Sequence, residues 1–370
     1  MGSNQSWVTE FILVGFDLSA KMEKLLFWIF SLFYIFSLLA NGTILGLICL
    51  DLRLHTPMYF FLSHLAIIDM SYASNNVPRM LANLANQNRT ISFVPCILQT
   101  FLYLGFAATE CLILMVMSYD RFVAICHPLQ YTVIMSWRAC GVLAATSWAC
   151  GFILALVHAV LLLRLPFCGP WQVNHLFCEI LSVLKLACVD TWINQVVLLA
   201  ASVFVLVGPV CLMLVSYVRI LWAILKIQSK EGRGKAFSTC SSHLCVVGLF
   251  FGIAMLVYMV PDSNQREEEE KILSLFHSLF NPMLNPLIYS LRNTQVKDAL
   301  YRALQRRSIW GVHTVLFDWG FSFKRCGLLE EKLRKISQWE IWYKYDNCPN
   351  SSSGYKAKTL GNEHLLSLCL

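Results

Sequence analysis

The chain has 370 residues, is 57% hydrophobic and only 14% charged, and carries a formal net charge of +7. Soluble domains lie nearer roughly 45–50% apolar and about 25% charged, so this composition excludes an ordinary soluble domain and points to a membrane protein. The basic residues lie between and after apolar segments, with no long run and no basic–aromatic platform, which argues against nucleic-acid binding.

Residues 1–24 read as a short polar start. Asn4-Gln5-Ser6 is a glycosylation acceptor if that end lies outside the cell. The run FILVGF is too short for the core of a cleaved signal, so the first membrane helix is expected to serve as its own uncleaved signal. Seven apolar stretches follow, near 25–50, 58–80, 97–126, 140–163, 195–226, 237–261 and 272–291. Each is long enough to cross a hydrocarbon core about 30 Å thick, which takes roughly 20 helical residues. Backbone facing lipid must bond to itself, so seven helices are the natural solution.

Orientation follows from Lys and Arg in the short connections. Arg53 follows the first stretch and Arg138 lies between the third and fourth. Lys226, Lys230, Arg233 and Lys235 lie between the fifth and sixth, and Arg292, Lys297, Arg302, Arg306 and Arg307 follow the seventh. The connection DSNQREEEEK is acid-rich. The basic side is expected to be cytoplasmic and the N-terminus outside. Asn88-Arg89-Thr90 is then a second acceptor outside, whereas Asn41-Gly42-Thr43 lies within the first stretch and is discounted.

Asn41, Asp69, Glu110 and Asn285 fall inside apolar stretches, where polar groups face the bundle interior and find partners. Two acids at mid-depth repel unless a proton or cation sits between them. Two readings stay open at this point: a sodium or proton site coupled to shape change, or a hydrogen-bonded polar core with one acid protonated. Pro209, Pro261 and Pro286 each remove a backbone donor and bend a helix. Kinks beside buried polar groups point to a bundle that rearranges. Asp120 and Arg121, in MSYDRFVAICHP (Met117 to Pro128), end the third stretch on the basic side, and a charged pair there needs a partner or a task.

Cys96, Cys168, Cys178 and Cys188 lie outside and allow three pairings, among which spacing does not choose. His175, Cys178 and Glu179 also carry metal-ligand chemistry, which oxidation of Cys178 would withdraw. No Gly-rich phosphate loop, HExxH or nucleophile elbow is present, so an enzyme is not expected. Neither internal repeats nor interrupted helices in matching halves, the marks of a transporter, are seen.

MSYDRFVAICHP resembles the third-helix signature of rhodopsin-like (class A) G-protein-coupled receptors in its olfactory-receptor form. Asn41 after Leu39-Ala40, PMYFFLSHLAIIDMSY from Pro57 to Tyr72, Ser216-Tyr217, KAFSTCSSHL from Lys235 to Leu244 and PMLNPLIYSLRN from Pro282 to Asn293 are similar in the same way, over residues from about 10 to 307. The resemblance implies an all-α, seven-transmembrane helix bundle at 25–291, with an extracellular N-terminus at 1–24 and a cytoplasmic amphipathic helix 8 at 292–307. Residues 308–370 continue past where family members usually stop and are expected to be an atypical, mostly disordered cytoplasmic tail, either a genuine extension or, as favoured here, sequence appended by alternative splicing or an imperfect gene assignment. The implied function is an odorant receptor in the plasma membrane of olfactory sensory neuron cilia. It would bind small volatile molecules within the bundle and activate a stimulatory, olfactory-type heterotrimeric G protein to raise cyclic AMP. Its alternative is a receptor for a non-odorant small metabolite; a membrane transporter is a remote third.

The resemblance also implies roles. Asp69 and Glu110 match the family's cation-site acids, with sodium the one expected ion and no other cofactor. Arg121 matches the arginine that leaves Asp120 to meet the G protein, and Tyr217, Asn285, Pro286 and Tyr289 match further activation positions. Cys96 with Cys178 matches the bond between the third helix and the outer loop, and Cys168 with Cys188 an additional olfactory-type bond. By offset from these motifs, Tyr103, Leu104, Ala107, Ser202, Val205, Phe251, Ala254 and Tyr258 are expected to line the ligand pocket. Phe251 departs from the tyrosine expected there, which removes a hydroxyl beside the pocket. Tyr103 stands where an amine receptor would carry an acid, and no lysine lies between Ile272 and Tyr289 for a retinal pigment.

Overall fold

Apolar stretches of this length can satisfy their backbone within lipid only by bonding to themselves, and they fold as helices in the computed structural model. The structure describes residues 9–86, 89–168, 171–226, 229–259, 267–291 and 294–309. Asn4, Asn88, Pro261 and the unit Val312–Leu370 lie outside them, as does the side chain of Tyr289.

In chain order the helices are α1 (Ala20–Leu50), α2 (Pro57–Ala85), α3 (Phe93–Cys126), the single turn α4 (Tyr131–Ile134), α5 (Trp137–Leu163) and the short α6 (Ile180–Leu184). α7 (Trp192–Ser202) runs through a π-helical turn, Val203–Val207, into α8 (Gly208–Leu225). α9 (Lys230–Tyr258) follows; α10 (Glu267–Leu275) then runs through a second π-helical turn, Phe276–Phe280, into α11 (Asn281–Leu291), and α12 (Thr294–Ile309) comes last. Boundaries follow local chemistry. Pro57 opens α2 at a position whose N–H would have no partner anyway, and the Ser136 hydroxyl caps α5 by accepting from the Ala139 N–H at 3.4 Å.

Among the described residues, four helices are long and apolar enough to cross a membrane: Ala20–Leu50, Phe93–Cys126, Trp137–Leu163 and Trp192–Leu225. The other three expected spans fall on α2, α9 and the α10–α11 run. Their weaker apolar signal has a cause. α2 buries Asp69 and Asn76, and the α10–α11 run buries Lys271, Ser274, His277, Ser278, Asn281 and Asn285. Those polar side chains point into the bundle and lower the mean hydropathy of their helices.

α3 is the central helix, mostly buried, while α1, α5 and α7–α8 leave most of their surface outward. α3 and α5 meet through small residues. A Cβ on Gly151 would clash with Thr109 Oγ1 and lie 2.8 Å from the Thr109 backbone nitrogen. Overpacking of this kind costs roughly 1–3 kcal/mol. Gly151→Ala is therefore expected to lower the melting temperature in detergent. Gly46→Ala, where a Cβ meets nothing within 4 Å, is the matched control. Equal melting temperatures would show that this helix pair tolerates separation.

One element departs from the all-α expectation. Segment β1 (Glu10–Leu13), read from sequence as part of a polar start, is the middle strand of a three-stranded sheet ordered β2-β1-β3. It pairs antiparallel with β2 (Thr90–Ser92) and parallel with β3 (Gln172–Val173). Phe11 and Leu13 are both 0% exposed, packing with Ile91, Ile97 and Val173 over one end of the bundle. A strand of this length gives too few alternations to be read from sequence alone.

α12 closes the opposite end. Arg302 donates to Asp51 Oδ2 through Nε at 3.1 Å and Nη2 at 2.7 Å, and the Tyr59 hydroxyl donates to Gln295 at 2.8 Å. Burial works to raise the Asp51 carboxyl, but Arg302 and the Arg53 N–H together hold it below the usual carboxylate range. Val296 and Ala299 supply the buried face. The ion pair is partly exposed, so Arg302→Ala should cost no more than about 1 kcal/mol.

Candidate functional site

Chemistry-bearing side chains gather at three levels along the bundle. At the sheet end, Cys96 at the start of α3 is bonded to Cys178, with Cα atoms 5.4 Å apart, and Cys168 is bonded to Cys188. Cys178 is thus not a thiolate ligand beside His175 and Glu179. Two α3 side chains hold the loop from below: Gln99 Oε1 accepts from the Cys178 N–H at 2.9 Å, and the Thr100 hydroxyl donates to the Cys178 carbonyl at 3.0 Å.

Beneath this loop lies a packed row of aromatic rings. Ring centroids run from Phe177 to Tyr103 at 5.2 Å, Tyr103 to Tyr72 at 5.0 Å, Tyr72 to His277 at 5.7 Å and His277 to Phe250 at 4.5 Å. Of the expected lining residues, Tyr103, Leu104, Ala107 and Tyr258 share one apolar cluster. Val205, Phe251, Ala254 and Tyr258 share the next. Tyr258 joins both, and Ser202 is buried on α7. The cluster also holds Tyr72, His277 and Phe177, with Glu179 near Tyr258, none of which reasoning from helices three, five and six named. Glu179 was findable, because a residue adjoining Cys178 goes wherever that disulfide takes it.

Glu179 caps α6, its Oε2 accepting from the Ser182 N–H at 3.0 Å. Burial pushes its carboxyl up to about 7, against the lowering effect of the Ser182 and Leu181 N–H groups. His175 is held down to about 3, first by burial and then by Lys271 and Lys185, and is neutral at physiological pH. For Glu179 the folded chain binds the proton more tightly than the unfolded chain, whose value is 4.5. Its contribution to stability is fully present below that value and is lost as pH rises through about 7. The melting temperature of Glu179→Gln minus that of the parent should therefore grow from pH 6 to pH 8; a constant difference would contradict the shift.

At mid-depth, Asn285 Nδ2 donates to Asp69 Oδ1 at 3.0 Å and Oδ2 at 3.1 Å, and to Glu110 Oε1 at 3.4 Å. Asn281 Nδ2 donates to Glu110 at 3.0 Å, and Asn41 donates to the carbonyl of Pro282 at 2.8 Å. One asparagine thus links both acids, drawing α2, α3 and α11 together beside Pro286. Asn285 Oδ1 is buried with no hydrogen-bond partner among the described residues. Asn281, unread in the sequence, lies one helical turn before Asn285 and faces the same way.

At the α12 end, Asp120 and Arg121 do not pair with each other. The Tyr131 hydroxyl donates to Asp120 Oδ1 at 2.8 Å, and Arg121 is directed at the Met58 sulfur. The reading of Asp120 as the partner of Arg121 does not describe this arrangement, because the chain turn after α3 brings a better-placed phenol to the carboxylate. Tyr217 stacks on His243, with centroids 5.8 Å apart, and bonds its Nδ1. These residues with Ile220, Ile224 and Cys240 join α3, α8 and α9.

A family model described as olfactory receptor matches residues 30–307 of the chain. Human olfactory receptor 2A2 is 75% identical over 316 residues, which cover 84% of this chain and 99% of that protein. Human olfactory receptor 2A5 is 72% identical over 308 residues, 83% of this chain and 99% of the relative. Mouse olfactory receptor 2A7 is 64% identical over 305 residues, 82% of this chain and 98% of the relative.

Proposed function

The chain belongs to the olfactory receptor family of class A G-protein-coupled receptors, and from that premise we propose that it binds small volatile molecules at the aromatic cluster beneath the disulfide-held loop and signals through a stimulatory G protein to raise cyclic AMP. It is a multi-pass membrane protein and not an enzyme. The observation that carries the ligand reading is the meeting of two apolar clusters at Tyr258, with hydroxyls on an otherwise apolar surface. Such a surface holds a small molecule by dispersion and a few hydrogen bonds.

In this reading all seven stretches at 25–291 span the membrane, with the sheet end and residues 1–24 outside. The α12 end, with its basic connections, is cytoplasmic, and α12 is helix 8. Asp69 and Glu110 with the unsatisfied Asn285 Oδ1 form a set of oxygens that suits a sodium ion or a proton, which would neutralise the repulsion between the two acids. Ligand binding favours one arrangement of helices by its differential affinity. The inner ends of α8 and α9, tied by Tyr217 and His243, then part to admit a helix of the G protein near Arg121. The setting would be the cilia of olfactory sensory neurons.

The direct experiment is a screen of volatile compounds on cells expressing the receptor with a cyclic AMP reporter. Silence across a broad panel at normal surface levels would overturn the reading. Residues 308–370 lie beyond the family match. Their deletion is expected to leave concentration–response curves unchanged, and a loss of signal would make the tail a working part.

A further inference from the structure

Polar side chains form a file from the disulfide-held loop towards the mid-depth acids. The Cys178 N–H donates to Gln99 Oε1 at 2.9 Å, and Gln99 Nε2 donates in turn to the backbone carbonyl of Asn75 on α2 at 2.8 Å. Asn75 Nδ2 returns a bond to the Gln99 carbonyl at 3.0 Å and donates to Asn76 Oδ1 at 3.1 Å. Asn76 Nδ2 donates to Ser278 Oγ at 3.2 Å. Asn76 and Ser278 are both 0% exposed, and Pro78 inside α2 withdraws a backbone donor at this level, which leaves room for side chains as partners. Ser278 is the middle residue of the π-helical turn Phe276–Phe280, and Asn281, which donates to Glu110, begins α11 directly after it. A π turn carries one residue more than an α turn, so the helix on either side can change register there. A satisfied buried polar network selects one arrangement, and here its last bond pins the middle of that turn to α2.

We propose that the Asn76–Ser278 bond is a positioning contact that couples the disulfide-held loop to the Asp69–Glu110 pair, with Gln99 at the outer end of the file and Asn281 at the inner end. This rests on the receptor reading and gives it a route through α2. A shift of the loop draws on Gln99, then on Asn75 and Asn76, and the π turn passes the displacement to Asn281 and Asn285, which hold both acids. Asn76 and Ser278 act through these neighbours and touch neither acid among the described hydrogen bonds. The warrant for such a route is an energetic coupling between its two ends.

That coupling is measurable on the full chain without any ligand. Gln99 and Asn281 share no hydrogen bond among the described residues, and changes at independent sites add. Gln99→Leu and Asn281→Ala are made singly and together, and melting temperatures are read in detergent; Asn281→Ser serves if the alanine variant does not fold. The double variant should fall short of the sum of the two shifts by about 2 °C or more, the size expected for members of one network. Ser278→Ala removes only a hydroxyl, and in that background the same pair should add within about 1 °C. Ser278→Thr keeps the hydroxyl and should retain the shortfall. Thr100→Val loosens the same loop outside the file, and with Asn281→Ala it should add in the parent. A merely structural Ser278 would lower every melting temperature and leave the shortfall unchanged, which overturns the proposal. Additivity of Gln99→Leu with Asn281→Ala in the parent, or an equal shortfall with Thr100→Val, also overturns it. Silence in the screen of volatile compounds bears on the receptor reading alone, so the two failures are distinguishable.

Discussion

Cys178→Ser is expected to leave the protein inside the cell, with surface staining of unpermeabilised cells near background. The bond it breaks spans 82 residues of sequence, and closing so long a loop is the case in which a disulfide most constrains the unfolded chain. Loss of a native disulfide costs roughly 2–5 kcal/mol, a large part of an ordinary protein's stability. The surroundings add to this. Both cysteines are 0% exposed, and the loop they anchor packs Phe177 on Tyr103 and buries Glu179 while β3 pairs with β1. Cys96→Ser should match it, and the double variant should be no worse than either, since both remove one bond. Cys168–Cys188 closes a loop of 20 residues and on the same entropic scale is worth about 1 kcal/mol less. Cys211, exposed and unbonded, is the control whose serine variant should reach the surface normally. Parental surface levels of Cys178→Ser would show that Gln99, Thr100 and the sheet hold the loop without the bond.

The sequence displayed the helices because their code is long. An apolar run of membrane length is redundant, and a few polar residues within it do not erase the signal. It hid what is short or made by distant partners. β1 contributes only Phe11 and Leu13 to the core, too few alternations to read, and its strand partners lie in two other connections. Asp69, Glu110 and Asn285 stood out because a charge or amide among apolar neighbours is conspicuous. Asn281 did not, since its meaning depends on sharing a helix face with Asn285. The aromatic cluster was half legible: offsets along α3 and α9 named Tyr103 and Tyr258, whereas Tyr72, although it ends the Pro57–Tyr72 motif, and His277 were not counted because the offsets were taken only along helices three, five and six. Tyr131 went unread for the same reason as β1: α4 is a single turn, and only the path of the chain after His127 sets its phenol on Asp120.

That phenol sharpens the largest functional prediction. Arg121→Ala is expected to bring ligand-driven cyclic AMP to background at normal surface level. Arg121 sits among α3, α8 and α9, beside Met58 and facing the group formed by Tyr217 and Cys240. An arginine anchor at the centre of an interface is worth about 2 kcal/mol or more, which is about thirtyfold or greater in affinity for a partner. Its loss leaves the fold intact, because no ion pair joins Arg121 to Asp120 among the described residues and Asp120 keeps its bond to Tyr131. Tyr131→Phe separates the two roles. Without the phenol a buried carboxylate lacks its donor, at a cost of about 1–3 kcal/mol, and its nearest remedy is the guanidinium next door. Arg121 would then be drawn to Asp120 and away from a G protein, so Tyr131→Phe should shift the ligand response several-fold to higher concentration without silencing it. Asp120→Asn in the same background removes the charge that captures Arg121 and should restore potency. A raised basal signal in Tyr131→Phe would mean the phenol holds the resting state instead, and a full response from Arg121→Ala would remove the arginine from the switch altogether.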